Sequence, residues 1–248
     1  MQVIIDGLAT TYDQIGTGPT VVIVPGWADT IAGWKKLASQ LSASYEVIVL
    51  DLPGFGGSEP PKHAWGLNDY ATFVAHFLDK VDRQPFALVG HSNGGAIAIR
   101  GLSIGLLSCN KLVLVASAGV RGGTRGRNKA FGVVAKTGKV LAAPLPEKAK
   151  RNLRQKLYKA AGSDLLVAEH MQDTFKKIVG QDVRADASRL HVPTLLVYGE
   201  NDDQTPVRYG ELFHEVIAGS TLEVLPGAGH FVHHDRPDDV LHAIEEFL

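Results

Sequence analysis

Ser92 lies at the centre of Gly90-His91-Ser92-Asn93-Gly94. The short apolar run Phe86–Val89 precedes it, and Ala96-Ile97-Ala98-Ile99 follows with helical character. A Gly-x-Ser-x-Gly between strand and helix is the pattern of a nucleophile elbow. Its chemistry rests on sterics. The serine occupies a strained turn, and Gly90 and Gly94 omit the side chains that would collide there. The turn lifts the hydroxyl off the sheet and aims backbone N–H groups at whatever it attacks. A glycine-rich turn into a helix can also cradle a phosphate. The chain has no Gly-Lys-Ser/Thr and no Gly-x-Gly-x-x-Gly, so the nucleotide alternative has little support. The decision depends on a base and an acid further along.

A serine hydroxyl attacks only when a base removes its proton. His230, in Leu225-Pro226-Gly227-Ala228-Gly229-His230-Phe231, is the preferred base. It follows the last expected strand in a glycine-rich loop that can cross the sheet edge. Of its rivals, His233 and His234 begin an expected helix, and His91 should point away from Ser92. Replacing His233 by alanine is therefore expected to be nearly silent in activity. A metal site from His230, His233, His234 and Asp235 matches no specific zinc spacing, so no metal is expected. The acid should end another strand. Val197 to Pro206 supplies Asp202, with Asp203 as its close competitor. Such a carboxylate would hold the imidazole in its productive tautomer. For a developing oxyanion, Asn93 offers one backbone N–H. The loop Pro25-Gly26-Trp27 after Val21–Val24 offers the Trp27 N–H, with Gly26 leaving room. The Trp27 side chain could pack or contact substrate.

These residues need a sheet to carry them. Val3–Ile5 and Ala9–Ile15 predict a hairpin turning at Asp6-Gly7. Thr20–Val24, Glu46–Leu50, Phe86–Val89, Lys111–Val115, Thr194–Tyr198 and Thr221–Leu225 read as strands buried on both faces. Leu67, Tyr70, Phe73, Val74, Phe77, Leu78 and Val81 recur at helical spacing, with Asn68 or Asp69 as the expected cap. Strands alternating with helices predict an α/β fold with a doubly wound, mostly parallel sheet. The pattern breaks between about 120 and 190, where Gly122-Gly123 and Pro144-Leu145-Pro146 interrupt helical stretches at Lys148–Ala161 and Asp164–Ile178. The expected organisation is a core of 1–119 and 191–248 with a helical cap inserted at 120–190. Such an insertion would cover the crevice at the carboxyl ends of the strands.

With 248 residues, 45% hydrophobic and 21% charged, one large domain can form. No apolar run reaches membrane-spanning length, and the start Met1-Gln2-Val3-Ile4-Ile5-Asp6 does not resemble a signal peptide. The single cysteine, Cys109, excludes an internal disulfide and fits a reducing compartment, so a cytoplasmic monomer or homodimer is expected. The net charge of −1 is unevenly spread. Arg121 to Lys159 carries +11 and the remainder −12. That basic block could steer an anionic substrate, or be a solvated helix face. It has little aromatic interleaving, so no nucleic-acid partner is expected.

Taken together, Pro25-Gly26-Trp27, Asp51 to Ser58, Gly90 to Gly94, Gly199 to Pro206 and Gly229-His230 resemble the α/β-hydrolase superfamily, in its small esterase-like branch. The order Ser92, Asp202, His230 is the order that family uses. The resemblance implies acyl transfer to water, with a small-molecule ester as substrate and no cofactor. It places Asp51 and its glycines in a structural turn. The family usually has His-Gly at the oxyanion loop, and Pro25 stands here in the histidine's place. Dehalogenases and epoxide hydrolases of this fold carry aspartate where Ser92 stands. The alternatives left open are a C–C bond hydrolase of a ring-cleavage diketone, a hydroxynitrile lyase or perhydrolase, and a ligand receptor with little turnover.

Overall fold

The central strands carry apolar side chains on both faces because each face has its own helical layer. The structure, a computed structural model, describes residues 1–121 and 169–248. The first half contains β1 (Gln2–Ile5), β2 (Leu8–Ile15), β3 (Thr20–Val24), α1 (Ile31–Leu41), β4 (Glu46–Leu50) and α2 (Leu67–Lys80). Next come β5 (Ala87–His91), α3 (Asn93–Ser103) and β6 (Lys111–Val115). A 3-10 turn at Glu169–Met171 leads into α4 (Gln172–Val179) and α5 (Arg184–Ala187). The chain ends with β7 (Thr194–Gly199), α6 (Val207–Val216), β8 (Thr221–Leu225), α7 (Val232–Asp235) and α8 (Pro237–Phe247).

The eight strands form one sheet in the order β1-β2-β4-β3-β5-β6-β7-β8. Pairing is antiparallel for β1/β2 and β2/β4 and parallel from there on. This is the expected doubly wound α/β architecture. Alternation sorts the side chains. Val22, Ile48, Leu88, Leu114 and Leu196 pack in one core with Phe73, Phe77, Ile97 and Phe213 of α2, α3 and α6. Val21, Ile23, Val49, Val89, Val113 and Val197 pack in the other with Trp34, Leu41, Val240 and Ile244 of α1 and α8. Each such burial is worth about 1.5–3 kcal/mol relative to exposure.

The Asp6-Gly7 hairpin forms as expected. Both residues have positive φ (51° and 80°), which matches the twist of the flanking strands. Two local expectations change. Strand β8 is an edge rather than a strand buried on both faces. Only Leu225 is buried in it, and Val224 is 39% exposed. Helix α2 is capped by Gly66, not by Asn68 or Asp69. Asp69 contributes from the third helical position, where its carboxylate accepts the Gly66 N–H at 2.7 Å. Asn68 instead accepts a hydrogen bond from Arg100.

Strand order reverses beside β3, since the chain leaves it for β4 on one side and returns as β5 on the other. Ligand crevices form at such a switch point. Val24, the last residue of β3, pairs with Gly90, so the loop after β3 lies beside Ser92. Of the segment 120–190, the Lys148–Ala161 helix, the Pro144–Pro146 break and the basic block after Arg121 lie outside the described residues. Within its described part, α4 packs against the loop after β3. The Phe175 ring is 5.0 Å from that of Trp27. Among the described residues no helix is long and apolar enough to cross a membrane.

Candidate active site

Ser92 joins β5 to α3 with φ 49° and ψ −116°, a conformation L-residues rarely adopt. Such strain costs about 1–3 kcal/mol and persists only where the surroundings enforce it. The glycines explain how the turn closes. A Cβ on Gly94 would lie 2.0 Å from the Val24 carbonyl oxygen, and one on Gly90 would lie 2.6 Å from the Gly95 Cα. The Ser92 N–H is held by the Val115 carbonyl at 3.0 Å.

His230 reaches this serine from the loop after β8. Its Nε2 lies 3.0 Å from Ser92 Oγ, and its Nδ1 lies 2.8 Å from Asp202 Oδ2. Ser92, Asp202 and His230 are all at least nine-tenths buried. Asp202 is fully furnished with donors. Its Oδ1 accepts the N–H groups of Gln204 and Thr205, and Oδ2 accepts the His230 Nδ1–H and the Thr205 hydroxyl at 2.7 Å. Burial pushes its carboxyl upward, but the His230 hydrogen bond and charge and the Thr205 contacts outweigh this. The net effect holds Asp202 below the ordinary carboxylate range. Asp203 is exposed and does not take this place.

The β3/β5 pairing sets how the loop after β3 lies against Ser92. Asp29 N–H closes the loop onto the Gly26 carbonyl at 3.3 Å, and Ala28 sits at φ 59°. A Cβ on Gly26 would come within 2.8 Å of His91 Nδ1 and 3.0 Å of Ser92 Cβ, so only glycine lets the loop lie this close. Among the described residues neither the Trp27 nor the Asn93 N–H has a backbone acceptor. The Trp27 indole is packed edge-on against Phe55 (4.7 Å) and Phe175 (5.0 Å). Asp51 behaves as the structural turn it resembled. Its carboxylate accepts the Ile31 and Gly57 N–H groups, tying the start of α1 to the following glycines.

The set His230, His233, His234 and Asp235 does not converge. His233 stacks on Trp34, His234 Nε2 pairs with the Gly33 carbonyl, and Asp235 accepts the Gly229 N–H. Two contributors were not visible in the sequence. Thr205 braces Asp202, and an Asp-x-x-Thr after a strand is a weak signal for such a turn. Asp29 contacts His91 and His233 only across the fold.

A family model described as the alpha/beta hydrolase family matches residues 21–243. The chain belongs to that family. Among its relatives is the pimeloyl-[acyl-carrier protein] methyl ester esterase of Aeromonas salmonicida, 24% identical over 97% of this chain and 100% of that protein. Another is the 2-hydroxy-6-oxononadienedioate/2-hydroxy-6-oxononatrienedioate hydrolase 2 of Pseudomonas putida, 24% identical over 96% of this chain and 90% of that protein. The fold is also that of a solved membrane phospholipase A, with a TM-score of 0.80 and 24% identity over 100% of this chain and 84% of that one. As a member of the alpha/beta hydrolase family, the chain is a hydrolase.

Proposed function

We propose that this chain is a serine hydrolase that cleaves a small or medium carboxylic ester through an acyl-enzyme. The observation that supports it most is the unbroken line from Ser92 Oγ through His230 to Asp202, at 3.0 and 2.8 Å. In this reading Ser92 Oγ attacks the ester carbonyl while His230 Nε2 takes its proton. The carbonyl π electrons move to oxygen, which the Trp27 and Asn93 N–H groups stabilise. Collapse expels the alkoxide, which leaves with the proton from His230. A water then attacks the acyl carbon as it gives a proton to His230, and collapse breaks the bond to Ser92 Oγ, which takes that proton back as the carboxylic acid leaves. Asp202 holds Nδ1–H throughout and stabilises the transient imidazolium. We also assign residues 120–190 to a cap over the crevice, a role supported by the packing of Phe175 on Trp27.

The test uses a fluorophosphonate probe and p-nitrophenyl esters of increasing chain length. Wild type should be labelled and should turn over a subset of the esters, and Ser92→Ala should do neither. Labelling of both proteins would refute the assignment. A second reading, C–C bond hydrolysis of a ring-cleavage diketone, is favoured by the Pseudomonas putida relative. Turnover of such a diketone in preference to every ester in the series would select it.

A further inference from the structure

Behind the base lies a second buried polar group that the triad does not use. Asp29, His91 and His233 are each under 10% exposed, so water does not compensate them. Asp29 Oδ1 accepts the Thr30 N–H at 2.8 Å, and Oδ2 accepts the Trp34 indole N–H at 2.7 Å. That same Oδ2 is 3.4 Å from His91 Nδ1 and 3.6 Å from His233 Nε2. On its other edge, His91 Nε2 lies 3.0 Å from the carbonyl oxygen of His230. A carbonyl can only accept, so His91 Nε2 carries a proton and donates it. The ionised Asp29 faces His91 Nδ1 at 3.4 Å and so fixes which edge of the ring turns toward it. Burial works against that ionisation, but the contacts with His233 and His91 outweigh it and hold the Asp29 carboxyl far below the ordinary range.

His230 needs such a hold. It follows Gly227-Ala228-Gly229, outside any helix or strand, with Gly227 at φ 73°. Among the described residues no donor other than His91 reaches its carbonyl oxygen. Asp29, two residues after Trp27, belongs to the loop that offers the oxyanion donor. The contact chain Asp29, His91, His230 therefore links that loop to the base loop, with the nucleophile next in sequence to its middle member. We propose that His91 is a positioning residue for His230: Asp29 orients the His91 ring, and the ring's Nε2–H fixes the His230 backbone so that His230 Nε2 stays within reach of Ser92. This role rests on the reading of Ser92 and His230 as nucleophile and base.

The three side chains also bring ligand atoms within 4.8 Å of one another, a spacing a divalent cation could bridge. The donor set argues for the hydrogen-bonded arrangement. Asp29 Oδ2 is already engaged by Trp34, and no fourth ligand stands among the grouped residues.

The test compares His91→Gln with His91→Leu. Glutamine can place an N–H where the imidazole Nε2 stands, whereas leucine fills similar space without a donor. On the best p-nitrophenyl ester, His91→Leu should lose about 10- to 100-fold in kcat with KM within about twofold, as expected for a misaligned base. Its fluorophosphonate labelling rate should fall in parallel. His91→Gln should recover most of the loss. Equal loss in the two variants, an effect on KM alone, or wild-type kcat in His91→Leu would overturn the proposal. Stoichiometric zinc uptake by wild type that is abolished in His91→Gln would overturn it in favour of a metal site. If His91→Leu fails to fold, Asp29→Asn serves as the second variant and should lower kcat while leaving KM unchanged. An unlabelled wild type would defeat the serine-hydrolase reading itself, and so is distinguishable from failure of the positioning role.

Discussion

Acidification should destabilise this fold through His233, and replacing that side chain should remove this part of the effect. His233 is 3% exposed, stacked on the Trp34 indole at 4.0 Å and 12°, with its Nε2 3.6 Å from Asp29. Burial, aided by the neighbouring His91 and His234, outweighs support from Asp29 and lowers the imidazole from its ordinary 6.5 to about 4. Between those values the unfolded chain binds more protons than the native one, so stability is complete above about pH 6.5 and is lost as pH falls toward 4. At about 1.4 kcal/mol per pH unit, the loss from pH 7.5 to 4.5 comes to roughly 2–3 kcal/mol. The assay is urea unfolding of wild type and His233→Gln at both pH values. Glutamine retains an amide near Asp29 but does not titrate. The wild-type loss should exceed the variant's by that amount. Equal losses in the two proteins would refute the reasoning. The same burial means that His233→Ala, expected to be nearly silent in activity, has a stability cost. That variant leaves an unfilled space against Trp34 and should be destabilised by about 2 kcal/mol or more.

Two further outcomes test other parts of the structure. Thr205→Val removes the hydroxyl 2.7 Å from Asp202 Oδ2 while keeping the side chain's shape, and kcat/KM should fall about 5- to 30-fold, equivalent to 1–2 kcal/mol; unchanged ester kinetics would show that the backbone donors suffice. Gly94→Ala drives a Cβ to 2.0 Å from the Val24 carbonyl, so melting should drop by about 6 °C or more, and a wild-type melting curve would contradict the proposed closeness of β3 and α3.

The strands were legible because their apolar runs are short, β-branched and punctuated, and they reappear within two residues of their expected bounds. Strand β8 misled because five mostly apolar residues do not say whether a strand is central or at an edge. The cap of α2 misled for a related reason. Asp69 is a good capping residue, but it reaches the helix start from the third position and leaves the cap itself to Gly66.

By itself the sequence determined the elbow at Ser92, the strand-end positions of Asp202 and His230, and the α/β order that carries them. Those are local properties, set by glycine sterics, strand periodicity and chain order. Only the tertiary structure decided which acid meets the imidazole, why Thr205 stands beside it, and that His91, Asp29 and His233 meet behind His230. The physical reason is separation along the chain. Asp29 and His233 are far apart in sequence and come together only because β3 and β5 pair at the switch point while the loop after β8 folds back over them.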